Sequence, residues 1–255
     1  MSLSIQGSDM VGEGNGIEAG TSTPAIGVPV SSADKPIGIF DSGLGGLTVA
    51  RAISRALPHE SIIYVGDTKR CPYGPRDQSE VRLFVRQVGR WLEQRDVKFV
   101  VIACNTATAA GLDVLQRALD VPVIGVIEPG ARAAVQATRS RRVGVLATQG
   151  AVGSGAYVRA IHMLDAGVHV TQQAAPRFVE IVEGKLASGE CLHRDWMSDK
   201  AIFDTPQIRA DVAHDVGPLL DRGIDTVVLG CTHYPLLSVQ IRQALGPGVR
   251  IVSSG

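Results

Sequence analysis

Two segments near opposite ends of the chain are built alike, and that likeness constrains the fold more than any other feature. One is Val97-Lys98-Phe99-Val100-Val101-Ile102-Ala103-Cys104-Asn105-Thr106-Ala107. The other is Ile224-Asp225-Thr226-Val227-Val228-Leu229-Gly230-Cys231-Thr232-His233-Tyr234. Each is an apolar run of strand length that ends in a small residue, a cysteine and a polar residue. Each is followed by an amphipathic helical stretch. Strands that are apolar along their length, rather than alternating, are buried on both faces, as in parallel sheets. Folds of that kind bind ligands at the C-terminal lips of their strands. Each cysteine therefore stands where a ligand is expected.

The rest of the chain repeats the strand-then-helix pattern. Strands are predicted over 37–40, 62–65, 97–103 and 121–126, with helices over 47–57, 78–94, 106–119 and 130–138. The pattern then restarts, with strands over 142–146, 168–172, 226–229 and 249–252 and helices over 154–164, 178–186, 207–220 and 236–245. Repeated βα units imply parallel sheets with helices on both faces. The first strands of the two halves also match, Ile37-Gly38-Ile39-Phe40 against Val143-Gly144-Val145-Leu146. The expected architecture is α/β: two similar lobes, each a parallel-sheet three-layer α/β sandwich, related by pseudo-twofold symmetry. Residues 1–35 are rich in Gly, Ser and Thr without period and read as a disordered tail. The first lobe is assigned to 36–128 and the second to 129–252. Residues 188–206 are polar and read as a loop or insertion.

Twenty-five basic and twenty-five acidic side chains cancel, so no basic stripe argues for direct nucleic-acid or membrane binding. No apolar run approaches membrane-spanning length, and no secretory leader is visible. Four scattered cysteines, Cys71, Cys104, Cys191 and Cys231, lack metal-ligand spacing. They suit a reduced, cytoplasmic setting. A lone cysteine there is ordinarily a small buried hydrophobe, which suffices for Cys71 and Cys191. Two at equivalent strand lips are another matter. Thiols facing one cleft suit removal of a proton from one side of a carbon and its return from the other. A cysteine hydrolase, with one thiol, an imidazole and an oxyanion hole, would leave the second cysteine without a task.

Three further stretches bear on a site. Asp41-Ser42-Gly43-Leu44-Gly45-Gly46 follows the first strand. It reads either as a tight turn with an acidic N-cap or as a place for a ligand carboxylate at free helix amides. It matches no nucleotide-binding glycine pattern. Pro72-Tyr73-Gly74 is a turn whose phenol could reach a ligand. Asp41 and His233 could each lend or accept a proton beside a thiol, whose unperturbed pKa is roughly 8.5.

Together these motifs resemble the glutamate racemases of the aspartate/glutamate racemase family. The resemblance rests on Phe40–Val49, Tyr64-Val65-Gly66-Asp67, Pro72-Tyr73-Gly74, Ala103-Cys104-Asn105-Thr106-Ala107 and Gly230–Leu237, in family order across 36–255. It implies an isomerase that supplies D-glutamate for peptidoglycan by a two-base mechanism, with neither cofactor nor metal. Cys104 and Cys231 are implied as the acid/base thiols, with Asp41, His233 and Glu183 as helpers. Ser42, Tyr73, Gly74, Asn105, Thr106, Thr148 and Thr232, with Asp41, are implied substrate contacts. The resemblance leaves open a homodimer and an activator at the N-terminal extension. It also leaves open a racemase for aspartate or another amino acid, or a weakly active form that binds DNA gyrase. Ala151 stands where the family often has threonine, and the 189–206 connection looks long. Residues 253–255 read as the start of a return to the first lobe, with the remainder absent.

Overall fold

A computed structural model describes residues 33–187 and 201–254. Residues 1–32 of the tail expected over 1–35, residues 188–200 of the polar connection read over 188–206, and with them Cys191, lie outside the described residues. The described chain forms two four-stranded parallel sheets. The first contains β1 (Ile37–Asp41), β2 (Ile62–Gly66), β3 (Phe99–Ile102) and β4 (Val123–Gly125), in the order β2-β1-β3-β4. The second contains β5 (Arg142–Ala147), β6 (His169–Ala174), β7 (Thr226–Gly230) and β8 (Arg250–Ser253), in the order β6-β5-β7-β8. The two sheets thus share one connectivity, and β3 and β7 hold equivalent central places. This is the two-lobed α/β fold expected from the repeat.

The alternation of side chains across each strand divides the core into four clusters, two per sheet. On the first sheet, Phe40, Val100 and Ile102 pack with Val81, Val85 and Leu92 of α2 (Gln78–Glu93) and Leu115 of α3 (Asn105–Ala118). The opposite face carries Ile37, Ile39 and Val101 against Val49 and Ala50 of α1 (Leu47–Ala56). On the second sheet, Val143, Val145 and Val228 pack under α4 (Ile127–Ala137) and α6 (Ala156–Leu164). Its other face, with Leu146, Val227 and Leu229, meets α7 (Pro176–Ala187), α8 (Pro206–Leu220) and α9 (Ser238–Leu245). Each such aliphatic side chain stabilises the fold by about 1.5–3 kcal/mol. Val126 belongs to the first-lobe core and Ile127 to the second.

Two elements differ from the sequence reading. The stretch Thr148–Gly155 holds an additional short helix, α5 (Gln149–Ser154). Two glycines inside it give it poor intrinsic helicity. It forms because Thr148 caps Ala151 N–H at 3.2 Å, and it ends at Gly155, whose φ of +65° is left-handed. Near the C-terminus the predicted helix begins with a 3-10 turn, Tyr234–Leu237, before α9. Pro235 in its first turn donates no backbone hydrogen bond. Among the described residues no helix is long and apolar enough to cross a membrane.

Candidate active site

Asp41 ends β1 and is fully buried. Its Oδ2 accepts the Gly43 N–H at 3.0 Å, and Thr232 of the second lobe donates to Oδ1 at 3.4 Å. Helix α1 starts only at Leu47, with no side-chain cap, so the acidic N-cap reading of Asp41 is set aside. The carboxylate instead binds the turn amides. Burial raises its pKa above the ordinary value, against the pull of His233 and the amides. The turn folds tightly enough that a Cβ at Gly46 would lie 2.4 Å from Asp41 Cβ.

Cys104 lies between β3 and α3 and caps that helix, its Sγ accepting Ala107 N–H at 3.4 Å. The thiol approaches Ser42 Oγ at 3.6 Å. Burial first, then the Asp41 carboxylate, push it up to about 12, while the Ala107 amide and Ser42 oppose. It rests protonated. In the second lobe Cys231 follows β7, with Sγ 3.5 Å from His233 Nδ1. His233 Nε2 meets Glu183 Oε1 of α7 at 2.5 Å. Burial disfavours the imidazolium, but Cys231 and Glu183 outweigh it and raise His233 to about 10. Glu183 is lowered because His233 outweighs its own burial cost.

The structure brings together nearly all the residues singled out in the sequence. Ser42, Tyr73, Gly74, Cys104, Asn105 and Thr106 from the first lobe line one cavity. Thr148, Cys231, Thr232 and His233 face them from the second. Asp41 and Glu183 stand behind this lining, each bonded to a residue in it. The cavity measures about 20 Å³, room for roughly one water molecule. Contacts between lobes close it. Thr106 and Thr148 hydroxyls lie 2.8 Å apart, and Gly150 N–H donates to Gly74 C=O at 2.9 Å. A larger groove of about 410 Å³ lies between α3 and α4, but none of these site residues lines it.

Two positions read differently once packed, and Tyr64 gains a place that the sequence reading did not give it. The Tyr73 hydroxyl donates to Asp67, which also holds Arg70 at 2.6 Å. The phenol thus braces the Pro-Tyr-Gly turn, and Tyr73 remains part of the cavity lining. Cys71, read as an inert thiol, points its Sγ at Glu183 Oε1 over 3.7 Å, and burial raises it first, Glu183 second. Tyr64, fully inside the first lobe, donates to the Gly43 carbonyl at 2.8 Å and fixes the turn from below. Pro72 and Val179 complete the lining. Adjacency of Cys71 to the Pro-Tyr-Gly turn was the one sequence signal for its place. Nothing local in the sequence marks Val179. Among the described residues no group of three or more His, Cys, Asp or Glu is placed to hold a metal ion.

The family model described as Asp/Glu/Hydantoin racemase matches residues 44–255. A glutamate racemase of Exiguobacterium sibiricum is 47% identical over 222 residues, covering 87% of this chain and 76% of that protein. The crystal structure of a glutamate racemase isoform from Bacillus anthracis superposes with a TM-score of 0.77 at 45% identity, covering 86% of this chain and 77% of that one. The Escherichia coli glutamate racemase, solved with L-glutamate and the activator UDP-MurNAc-Ala, gives 0.68 at 32% identity, covering 87% and 78%.

Proposed function

The chain belongs to the Asp/Glu/hydantoin racemase family of isomerases, and we propose on that premise that it interconverts L- and D-glutamate with two of its own thiols. One observation carries the mechanism: Cys104 and Cys231, at the lips of the equivalent strands β3 and β7, line the same cavity. A substrate α-carbon held between them presents one face to each sulfur. In one direction the sulfur of Cys231 takes the α-hydrogen as a proton, and the Cys104 thiol gives its proton to the opposite face. In the other direction the roles exchange. Asp41 stands beside the first thiol, and the His233–Glu183 pair beside the second.

The polar lining suits an amino acid with a second carboxylate. The N-terminus of α3 and the hydroxyls of Ser42, Thr106, Thr148 and Thr232 supply donors to anionic oxygen. Glutamate is favoured over aspartate because relatives 45–47% identical to this chain are glutamate racemases, whereas an aspartate racemase homologue of similar coverage is 21% identical. The activator in the E. coli complex is a peptidoglycan precursor by its chemistry. We take the same supply role, D-glutamate for a cytoplasmic stage of peptidoglycan synthesis, as the setting of this enzyme. The test follows optical rotation with L-glutamate, D-glutamate and both aspartates. Loss of rotation with both glutamates supports the proposal. Turnover of aspartate alone, or of neither, overturns it.

The charge on His233 gives this reading a pH signature. Glu183 and Cys231 favour the imidazolium, so His233 stays charged until about pH 10. The alkaline limb of kcat/KM is expected there. In Glu183→Gln the neutral amide no longer favours the cation, and the limb moves to lower pH. An unmoved limb would show that Glu183 does not hold that charge. Stability follows the same linkage. His233 contributes fully below its ordinary value of 6.5 and loses that contribution as pH rises through about 10. Glu183, being lowered, contributes above its ordinary 4.5 and loses it as pH falls.

A further inference from the structure

Asn105 stands one residue past Cys104 and is buried. Both ends of its amide are already engaged by protein. Oδ1 accepts the Tyr157 hydroxyl at 2.6 Å, and Nδ2 donates to Ser254 Oγ at 3.0 Å. Ser254 spends its own hydrogen on the Leu229 carbonyl at 3.2 Å. Tyr157 lies on α6 and Leu229 on β7, so this chain of bonds crosses from the second lobe to a first-lobe helix terminus. Tyr157 is fully buried. Its room is made by glycine: a Cβ at Gly230 would lie 2.9 Å from Tyr157 Cε2. One at Gly130 would lie 3.1 Å from Ser254 Cβ and 3.3 Å from the Tyr157 hydroxyl.

The hydrogen bonds on either side favour one direction of the amide. Asparagine has one acceptor oxygen and two N–H donors. Were the amide flipped, Oδ1 would face Ser254 Oγ, which now donates to the Leu229 carbonyl. Either two acceptors would meet in a buried place or the Leu229 bond would be given up, and both are costly. The observed orientation avoids this and leaves one Nδ2 hydrogen unspent beside the cavity that Asn105 lines.

We propose that Tyr157 and Ser254 are positioning residues for substrate binding: they lock the Asn105 amide so that it offers the cavity an N–H donor and no acceptor. A substrate carboxylate is thereby accepted at this point and an ammonium group refused. The inference rests on the reading of this cavity as the glutamate site.

The experiment is a double-mutant cycle on the full chain, reading KM and kcat separately in both directions. Tyr157→Phe keeps the ring and removes the hydroxyl. It is expected to raise KM for glutamate about tenfold, the scale of one buried unpaired group, with kcat changed much less. In an Asn105→Ala background the same substitution is expected to have little further effect, because its target is gone. Ser254→Ala, from the other end of the chain of bonds, repeats the cycle should Tyr157→Phe fold poorly. An equal KM effect in both backgrounds, or a loss confined to melting temperature, overturns the positioning role while leaving glutamate racemisation intact. A wild-type chain that turns over no glutamate, by contrast, removes the functional reading and this inference with it.

Discussion

Cys104→Ser and Cys231→Ser are each expected to reduce racemisation below detection in both directions. A placed proton donor or acceptor contributes roughly 10²–10⁴-fold, and a hydroxyl is far less acidic than a thiol. The sulfurs are carried by the lips of different sheets, β3 and β7, so on the proposed mechanism neither can stand in for the other. Serine is close in size, and Cys104 caps α3 through an acceptor that serine also provides. The variants should therefore fold. Cys71→Ser is the comparison: its sulfur bonds Glu183 outside the cavity lining, and measurable turnover should remain. A Cys231→Ser protein that racemises glutamate at near the parent rate would end the two-base account.

Gly46→Ala is expected to cost on the order of 10²-fold in kcat/KM, although residue 46 has no side chain to touch a substrate. The added methyl would lie 2.4 Å from Asp41 Cβ, 2.8 Å from its Cγ and 2.9 Å from the Tyr64 hydroxyl. None of the three can yield cheaply, since Asp41 is held by the turn amide and Tyr64 by the Gly43 carbonyl. The carboxylate must shift, and misplacement near 1 Å has consequences of that order. Gly153→Ala, where the new carbon meets nothing within 4 Å, should leave kcat/KM unchanged. Matching the two variants for melting temperature separates a displaced carboxylate from a general loss of fold. Equal kinetics would mean the Asp41 geometry is not critical.

How much of this was legible beforehand depended on distance along the chain. The strands at 97–103 and 226–229, and the cysteines at their ends, are readable because burial on both faces writes a continuous apolar run. The helix over 78–94 is readable because Val81, Val85, Val88 and Leu92 fall on one stripe. Helix α5 was missed because its glycines conceal it, and its capping threonine and its packing supply what propensity lacks. Glu183 is singled out in the sequence only through the family resemblance. Its partner, His233, lies fifty residues later. The direction of the Tyr73 hydroxyl, the aim of the Cys71 thiol and the Asn105–Tyr157–Ser254 chain are all set by partners that local pattern cannot name. The last of these spans 149 positions.

The two thiols keep unlike company, a buried carboxylate on one side and an imidazole backed by an acid on the other. For a reaction between mirror images this has a strict thermodynamic consequence. L- and D-glutamate have equal free energy in an achiral solvent, so kcat/KM must be the same in both directions, in the parent and in every variant. Unlike companions can only divide that shared value differently between turnover and half-saturation. If Asp41→Asn slows the L-to-D turnover more than the reverse, the two KM values must separate by the same factor. His233→Asn should tilt the pair the opposite way. The lopsidedness of the site is thus hidden from any assay at trace substrate and shows only as the enzyme approaches saturation.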